Sequence, residues 1–273
     1  MLQQGLQERG WRSLALRDTL GQLYHYRALI QVLVERELKA RYRGAALGFL
    51  WSFMNPLLLM GIYTLVFSVY MRIDMESYPA FLLCGLLPWN CFAAGLNEAT
   101  YSIIGNGNLI KKVYLPSEVF PLVYISSNVV HYLFSIPLLF FLLLLYHVPL
   151  SSALVLFPVI LAIQFVLTYG LALILASLAV QFRDLLQVIP NMLMIWFFLT
   201  PVFYSRTTVP GNFRLLMDCN PMAHLIQAYQ DIFFLRQWPP LLGLAVVALL
   251  ACALFVVGLW CFEMRKDFFV EEL

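Results

Sequence analysis

The densest group of chemically active side chains in this sequence is basic. Arg36, Lys39, Arg41 and Arg43 precede Gly44, and an apolar run long enough to cross a bilayer follows. Lys and Arg collect on the cytoplasmic side of membrane segments, so this junction orients the chain. It also predicts a charged helix on the inner membrane surface, within reach of anionic lipid and of a soluble partner.

Other reactive groups are sparse. Asp74 and Glu76 form the one DxE pair that could hold a metal or act as a base. The histidines follow no metal-binding spacing: His25, His131, His147 and His224. His131 lies in an apolar run, where it is either a hydrogen-bonded packing residue or a proton relay. The sequence has no GxxxxGK[ST] motif to cradle nucleotide phosphates. We predict neither a catalytic residue nor a metal site.

Composition places the chain in a membrane. Hydrophobic residues make up 62% of it and charged residues 12%, whereas soluble domains average ~45–50% apolar and ~25% charged residues. The five cysteines have no metal or disulfide spacing and are interpreted as small core residues. Ion-coupled transporters carry charged relays in their spans. Here Glu98 is the one carboxylate in the apolar runs. If the protein drives transport, the energy for it must therefore come from outside the chain; otherwise no energy source is needed.

The predicted fold is an all-α membrane protein with six transmembrane helices. A helix needs ~20 mostly apolar residues to cross the hydrocarbon. Six segments qualify, the fifth being short: residues 47–70, 80–104, 119–146, 153–180, 188–204 and 241–262. Residues 205–240 are half apolar and broken by prolines, which predicts an outer re-entrant or interfacial helix pair between spans five and six. Thirteen of the 17 Lys and Arg residues then lie inside, so both termini are predicted to be cytoplasmic.

An amphipathic interface helix is predicted ahead of the first span, over residues 26–43. Its apolar face comprises Leu29, Ile30, Leu33, Val34 and Leu38. Arg36, Lys39 and Arg43 cluster on another face, and such a helix lies in the membrane interface. The chain therefore divides into a cytoplasmic N-terminus with this helix, residues 1–44, and a transmembrane domain, residues 45–273.

Five motifs, in order along the chain, carry a family resemblance. They are KARYRGAALGFLWSFMNP (39–56), GLLPW (85–89), NGNLIKKVYLPSEVFPL (106–122), FRDL (182–185), and TPVFY (200–204) with NPMAHLIQAYQDIFF (220–234). Together they resemble the permease subunit of type-2 ATP-binding cassette (ABC-2) exporters, in the branch that exports O-antigen, capsule or teichoic-acid chains. Gln230 is a departure, because the family commonly has Arg after the Tyr of the last motif.

The resemblance implies a function and partners. The chain would be the permease subunit of an ATP-driven exporter of lipid-linked polysaccharide in the bacterial inner membrane, and not an enzyme. It would form a homodimer on two nucleotide-binding ATPase subunits, which would hold the ATP and Mg. No cofactor on this chain and no nucleic acid partner are expected. The alternatives are an ABC-2 exporter of a drug or lipid and a membrane-embedded glycosyltransferase that uses Asp74 and Glu76.

The resemblance also assigns contact surfaces on the inner side. The loop 105–118 would be a coupling helix that docks on the ATPase; the alternative is a plain positive-inside loop. Its contact residues would be Leu109, Ile110, Lys111, Lys112, Val113 and Tyr114. On the next inner loop, Arg183 and Asp184 either contact the partner or the basic helix, or form a local ion pair.

The basic cluster has three possible uses once this resemblance is considered. Arg41 and Arg43 are expected to bind lipid pyrophosphate, since the guanidinium fork matches phosphate. Arg36 and Lys39 complete the cluster. Anchoring to anionic lipid and docking on the ATPase are the alternatives, and the sequence does not divide the four residues among the three.

A glycan crossing a membrane needs aromatic rings for sugar C–H faces, and Tyr or Trp groups for hydrogen bonds. The chain is 15% aromatic, and the candidate channel residues lie in spans that carry the motifs: Trp51, Tyr63, Trp89, Phe92, Trp196, Phe197, Phe203 and Tyr204. For each of them a lipid-belt or packing role is the alternative. The outer segment 210–238 is expected to close the channel between transport events.

Overall fold

The computed structural model describes residues 21, 24–44, 48–72, 75–112 and 116–269, and the regular structure in these residues is entirely helical, as predicted. The α-helices are α1 (Arg27–Tyr42), α2 (Trp51–Thr64), α3 (Tyr78–Gly105), α4 (Gly107–Lys112), α5 (Val119–Leu145), α6 (Phe157–Gln181), α7 (Leu185–Phe198), α8 (Arg214–Asp218), α9 (Pro221–Gln230) and α10 (Leu241–Arg265). Short 3₁₀ turns are Gly48–Leu50, Ser152–Leu156, Arg206–Thr208, Gly211–Phe213 and Lys266–Phe268, and π-helical turns are Leu65–Tyr70 and Asp231–Leu235.

Five of the described helices are long and apolar enough to cross a membrane. With their flanking turns they cover Trp51–Tyr70, Tyr78–Gly105, Val119–Leu145, Ser152–Gln181 and Leu241–Arg265. They coincide with the predicted first, second, third, fourth and sixth spans, and their ends differ from the predicted ends by a few residues. The sequence therefore predicts these five helices well.

The fifth predicted span, residues 188–204, is shorter in the structure. Helix α7 has 14 residues, which at 1.5 Å per residue gives about 21 Å, less than the ~30 Å hydrocarbon core. After Phe198 the chain bends through Thr200 and Pro201 and stays irregular as far as Ser205. A sixth crossing therefore remains a prediction.

Helix α3 lies at the centre of the bundle. Most of its residues are buried, and α5 and α6 pack along it, while α2, α7 and α9 flank it. Pro88 lies inside the helix, and its carbonyl oxygen accepts a hydrogen bond from Nε2 of Gln164 in α6 at 2.9 Å. This bond and the apolar packing fix α3 against α6.

Helices α6 and α10 cross at two glycines. A Cβ atom on Gly170 would lie 2.6 Å from the backbone nitrogen of Phe255, and one on Gly258 would collide with the carbonyl oxygen of Gly170. Small residues at a membrane helix crossing let the two backbones approach closely. The absence of side chains at these positions therefore permits the crossing.

Helix α1 occupies the predicted interface-helix segment. Its Leu33 is buried against Val119 and Val123 at the start of α5, with neighbouring apolar side chains of α1 packed around the contact. The apolar face of α1 thus contacts protein in this structure. Its location in the membrane interface remains a prediction.

The segment after α7 forms the short helices α8 and α9, where an outer helix pair is predicted. Oδ1 of Asn220 accepts hydrogen bonds from the backbone N–H groups of Met222 and Ala223 and caps α9. The same oxygen accepts from Nε1 of Trp196 at 2.8 Å, which ties α9 to α7. The helices are therefore present, and their re-entrant position remains a prediction.

Candidate functional site

An ion pair joins α1 to α3. The guanidinium of Arg41 donates to both carboxylate oxygens of Glu98, at 2.8 and 2.6 Å. Asn128 of α5 bonds both partners: its Oδ1 accepts from Arg41 at 3.2 Å, and its Nδ2 donates to Glu98 at 2.6 Å. Charge-assisted bonds of this kind are strong and directional. The cluster therefore fixes α1, α3 and α5 relative to one another.

A cavity of about 530 Å³ opens beside this cluster, between α2, α3 and α5. Its polar wall comprises Arg41, Asn55, Asn90, Asn128, His131 and Ser135. Leucine and alanine side chains form most of the rest of the wall, together with Pro56, Cys91 and Tyr132. A cation with several hydrogen-bonding groups in an apolar frame suits a polar, anionic ligand.

A second cavity of about 320 Å³ adjoins the first, between α2, α3 and α7. The two cavities share Leu59, Asn90, Ala93 and Ala94 as lining residues. Asn97 lines the second cavity only. We call the two adjoining cavities the α3 groove, because α3 contributes most of its shared wall.

Four of the eight predicted channel aromatics meet on the α7 side of the α3 groove. The Phe197 ring centroid lies 5.7 Å from that of Tyr63, 5.6 Å from that of Trp89 and 5.6 Å from that of Phe203. Tyr63, Trp89 and Phe197 line the second cavity. The structure therefore brings a predicted aromatic wall together from three helices.

The other predicted aromatics lie elsewhere. Phe92 is fully buried, and its ring packs edge-on against Trp196. The indole N–H of Trp196 already donates to Oδ1 of Asn220, the cap of α9. Tyr204 follows Phe203 beyond α7, and its hydroxyl donates to the Phe198 carbonyl at 3.3 Å. Trp51 is exposed at the start of α2 and lines neither cavity.

The predicted coupling loop contains the short helix α4. Leu109 and Ile110 are half-buried and pack against the bundle's own core, whereas Lys111 is exposed. Lys112 is the last residue of α4. The predicted contact residues Val113 and Tyr114 lie outside the described residues. Among the side chains of this loop that the structure describes, Lys111 is thus the exposed one of the predicted contact residues.

Arg183 and Asp184 are exposed in the turn between α6 and α7. No ion pair joins the two side chains in the described structure, so the local-pair alternative finds no support there. Asp184 immediately precedes α7, and its carbonyl oxygen accepts from Val188 at 3.0 Å. An acidic side chain at a helix N-terminus is favoured by the helix dipole.

The structure separates the four residues of the predicted basic cluster on α1 and its end. Lys39 pairs with Glu35 one turn away at 2.6 Å, and its hydrogen bond and charge lower the pKa of Glu35. Arg36 and Arg43 are exposed. Arg41 alone of the four lines the α3 groove. Arg41 and Arg43, predicted to act together, therefore occupy different environments.

A second carboxylate contact joins the start of α5 to the end of α10. Glu118, 4% exposed, lies near the carboxylate of Glu263, whose negative charge acts on it, and Glu263 pairs with Lys266. Burial raises the pKa of Glu118. These residues are distant in sequence, so hydropathy and spacing gave no signal for the contact.

Within the residues that the structure describes, no group of three His, Cys, Asp or Glu side chains is arranged to hold a metal ion. Glu76 of the DxE pair is exposed. Asp74 lies outside the described residues. His131 lines the α3 groove, beside the Arg41 cluster.

A family comparison matches most of this architecture. Residues 28–234, from α1 to the π-helical turn after α9, match the model of the ABC-2 type transporter. The chain belongs to the ABC-2 type transporter family. The membership confirms the family resemblance that the motifs indicated.

Relatives within the ABC-2 family are named for polysaccharide export. The chain is 40% identical over 261 residues to the O-antigen export system permease protein RfbA of Myxococcus xanthus, covering 92% of this chain and 98% of that protein. A Klebsiella pneumoniae protein of the same name is 32% identical over 262 residues, covering 96% and 100%. The polysialic acid transport protein KpsM of Escherichia coli is 22% identical over 250 residues, covering 87% and 93%.

Sequence reasoning missed the amides of this ABC-2 chain's groove. Asn55, Asn90, Asn97 and Asn128 all lie in apolar runs. Asn90 and Asn97 are about two helical turns apart and so share a face of α3. A search for uncharged polar residues at helical spacing would have found them, whereas a search for charges and aromatic rings did not.

Proposed function

We propose that this chain is the permease subunit of an ATP-driven exporter that moves lipid-linked polysaccharide across the bacterial inner membrane. The proposal rests above all on similarity along nearly the whole chain to O-antigen export permeases, at 40% and 32% identity. Five apolar helices and a sequence without a nucleotide-binding motif are consistent with a permease that takes its energy from another subunit.

The energy source in this proposal is a separate ATPase subunit. Two copies would lie beneath a homodimer of the permease and would hold the ATP and Mg. The excess of Lys and Arg in the predicted inner segments supports cytoplasmic termini. In that orientation α1, α4 and the turn before α7 face the ATPase.

Docking on the ATPase is assigned to α4 and the turn at Arg183. Lys111 and Arg183 are exposed and offer cations to acidic groups of a partner. Leu109 and Ile110 are half-buried in the bundle, so they present only part of their surface. We therefore assign the docking mainly to charge pairing, with Lys112 at the end of the same helix.

The lipid diphosphate is assigned to the Arg41 side of the α3 groove. Arg41 lines the larger cavity there, next to Asn128 and His131. A phosphate in this cavity would share the guanidinium with Glu98 or displace it. Arg36, exposed outside the groove, suits anionic lipid headgroups or the ATPase.

The glycan is assigned to the aromatic side of the same groove. Tyr63 is half-buried and offers ring surface to sugars there, while Trp89 and Phe197, 4% and 7% exposed, contribute only the edges that line the cavity. Phe203 and Tyr204 continue the aromatic row towards α8 and α9. The α8–α9 pair is then placed to close the outer end of the path.

Reconstitution tests the proposal. The purified permease is placed in vesicles that contain lipid-linked polysaccharide, alone or with the ATPase that copurifies with it. We expect no ATP hydrolysis by the permease alone, and ATP-dependent glycan transport with the ATPase. An ATPase variant without its P-loop lysine is the control and should abolish transport. ATP-dependent transport without a partner subunit, or of a drug but not of the glycan, would contradict the proposal.

A further inference from the structure

Three side-chain amides of the α3 groove have no hydrogen-bond partner within the described residues. They belong to Asn55 of α2 and to Asn90 and Asn97 of α3, and each is at least partly exposed in the groove. Other side-chain amides of the bundle form hydrogen bonds within the protein. Nδ2 of Asn128 donates to Glu98, and Nε2 of Gln164 donates to the Pro88 carbonyl.

Unpaired amides are costly in hydrocarbon. Moving an amide from water to an apolar medium without a hydrogen bond costs on the order of 2–7 kcal/mol. Inside a membrane such a group persists where water or a polar ligand reaches it. Asn90 and Asn97 lie in an apolar helix that is long enough to span, so the α3 groove must be wet along their face.

The spacing of the two α3 amides gives the groove a length. Two helical turns separate them by about 10 Å along the axis, a distance that a disaccharide spans. Ala93 and Ala94 lie between them, and their small side chains leave space in the groove along this wall. Asn90 lines both cavities, and Asn97 lines only the one with the aromatic wall.

Charge divides the groove into two parts. The larger cavity includes the guanidinium of Arg41, whereas no Asp, Glu, Lys, Arg or His among the described residues lines the smaller one. A neutral amide offers both a donor and an acceptor, which matches a sugar hydroxyl. The smaller cavity is therefore suited to an uncharged polyhydroxyl ligand.

We infer that Asn90 and Asn97 form hydrogen bonds with hydroxyl groups of the polysaccharide as it passes between the Arg41 end and the aromatic wall of the α3 groove. The inference rests on the proposed function and deepens it. Individually weak contacts on a neutral wall let successive sugar units bind and leave, which transport of a polymer requires. Asn90, at the junction, contacts the first sugars next to the lipid diphosphate.

Leucine substitutions test the two amides. N90L and N97L keep the side-chain size and remove both hydrogen-bonding groups. N191L is the matched control, because Asn191 is an exposed amide of α7 that donates to the Gln187 carbonyl and lines neither cavity. Surface polysaccharide per assembled complex should fall about fivefold to tenfold in N90L and N97L, as one lost hydrogen bond predicts. N191L should export like the wild type, and N97Q should recover part of the loss.

The wild-type protein in the same cells separates the two hypotheses. Failure of the wild type to export glycan contradicts the proposed function. Wild-type export with equal export by N90L and N97L contradicts the inference alone. If N90L or N97L instead breaks the self-association of the permease, as measured by crosslinking, then the amides belong to a subunit contact and the inference is wrong.

Thiol labelling tests the wet groove without measuring export. N90C and N97C are placed in a variant whose native cysteines are replaced, within the assembled complex. A charged thiol reagent should modify both at least about tenfold faster than I195C, since it reacts with the thiolate, which forms in water. Ile195 is an exposed apolar residue of α7 that lines neither cavity. Equal labelling rates at the three positions would overturn the inference.

Discussion

Arg41 and Glu98, 57 residues apart in sequence, form an ion pair in which Nη2 of the guanidinium donates to both carboxylate oxygens. Asn128 bonds both partners and closes the cluster. The two side chains are 22% and 33% exposed, so water screens the pair only in part. The pair therefore holds the end of α1 against the bundle and keeps a cation at the α3 groove.

Neutralising this carboxylate should weaken the bundle. We expect E98Q to lower the free energy of unfolding by about 1–2 kcal/mol, below the cost for a fully buried pair because the site is partly exposed. R41M should cost a similar amount, and the double variant should lose less than the sum. Thermal unfolding of the purified protein measures this. The exposed pair Glu35 and Lys39 serves as control, since E35Q should leave the midpoint unchanged; additive losses at Arg41 and Glu98 would refute the coupling.

Charge reversal on α4 should uncouple the ATPase from transport. With K111E and K112E combined, we expect the permease to insert normally but to lose most of its glycan export, because the exposed cation of α4 no longer pairs with the partner. R214E, on the segment predicted to lie outside, is the control. Export, copurification of the ATPase and ATP hydrolysis are measured together. Unchanged export in the double variant would rule out the coupling assignment.

Two aromatic residues should respond differently to truncation. Tyr63 is half-buried and lines the α3 groove, whereas Phe92 is fully buried behind it. Y63A should therefore reduce export per assembled complex with little loss of protein. F92A should cost about 3–5 kcal/mol of stability, as cavity-forming Phe substitutions do, and lower the amount of folded permease. Protein level and export are compared, and equal loss of both in Y63A would indicate a packing role.

Glycine substitutions should separate the α6–α10 crossing from open helix surface. A Cβ atom at Gly258 collides with the Gly170 carbonyl, so G258A should force the two helices apart and reduce assembly. Gly61 of α2 has open space around its Cβ position. G61A should be neutral or stabilising by up to about 1 kcal/mol, since Ala favours a helix over Gly. Thermal midpoints in detergent test this, and a G258A midpoint equal to that of the wild type would contradict the close crossing.

Long membrane-spanning helices can be predicted from the sequence. The third span was predicted as residues 119–146 and is Val119–Leu145 in the structure, because the hydrocarbon core demands a fixed length of apolar helix. Helix α7 could not be predicted in the same way. Its hydropathy continues past Phe198, and its end depends on contacts such as the bond between Trp196 and Asn220.

Which side chain of a cluster faces inward could not be read from the sequence. The basic cluster on the second half of α1 and its end has four cations, and Arg41 is selected by Glu98 and Asn128, which lie on other helices. Tertiary packing similarly gave Trp89 an edge of the groove and buried Phe92 behind it. The family resemblance predicted a glycan path lined with aromatic rings, but only the folded chain brings the amides into the wall that holds Tyr63 and Trp89.

The contact of Leu33 with Val119 and Val123 has a thermodynamic consequence. Helix α4 precedes α5 in the sequence, and the first turns of α5 contact α1, while Asn128 lies further along α5. If an ATPase docks on α4 as proposed and shifts α5, the shift would reach Arg41 through the contact of α5 with α1 and through Asn128. By linkage the effect is reciprocal: a glycolipid that binds at Arg41 should change the affinity of the ATPase for α4 by the same factor. Measuring that affinity with and without glycolipid would test whether the proposed cargo regulates the binding of the ATPase subunit.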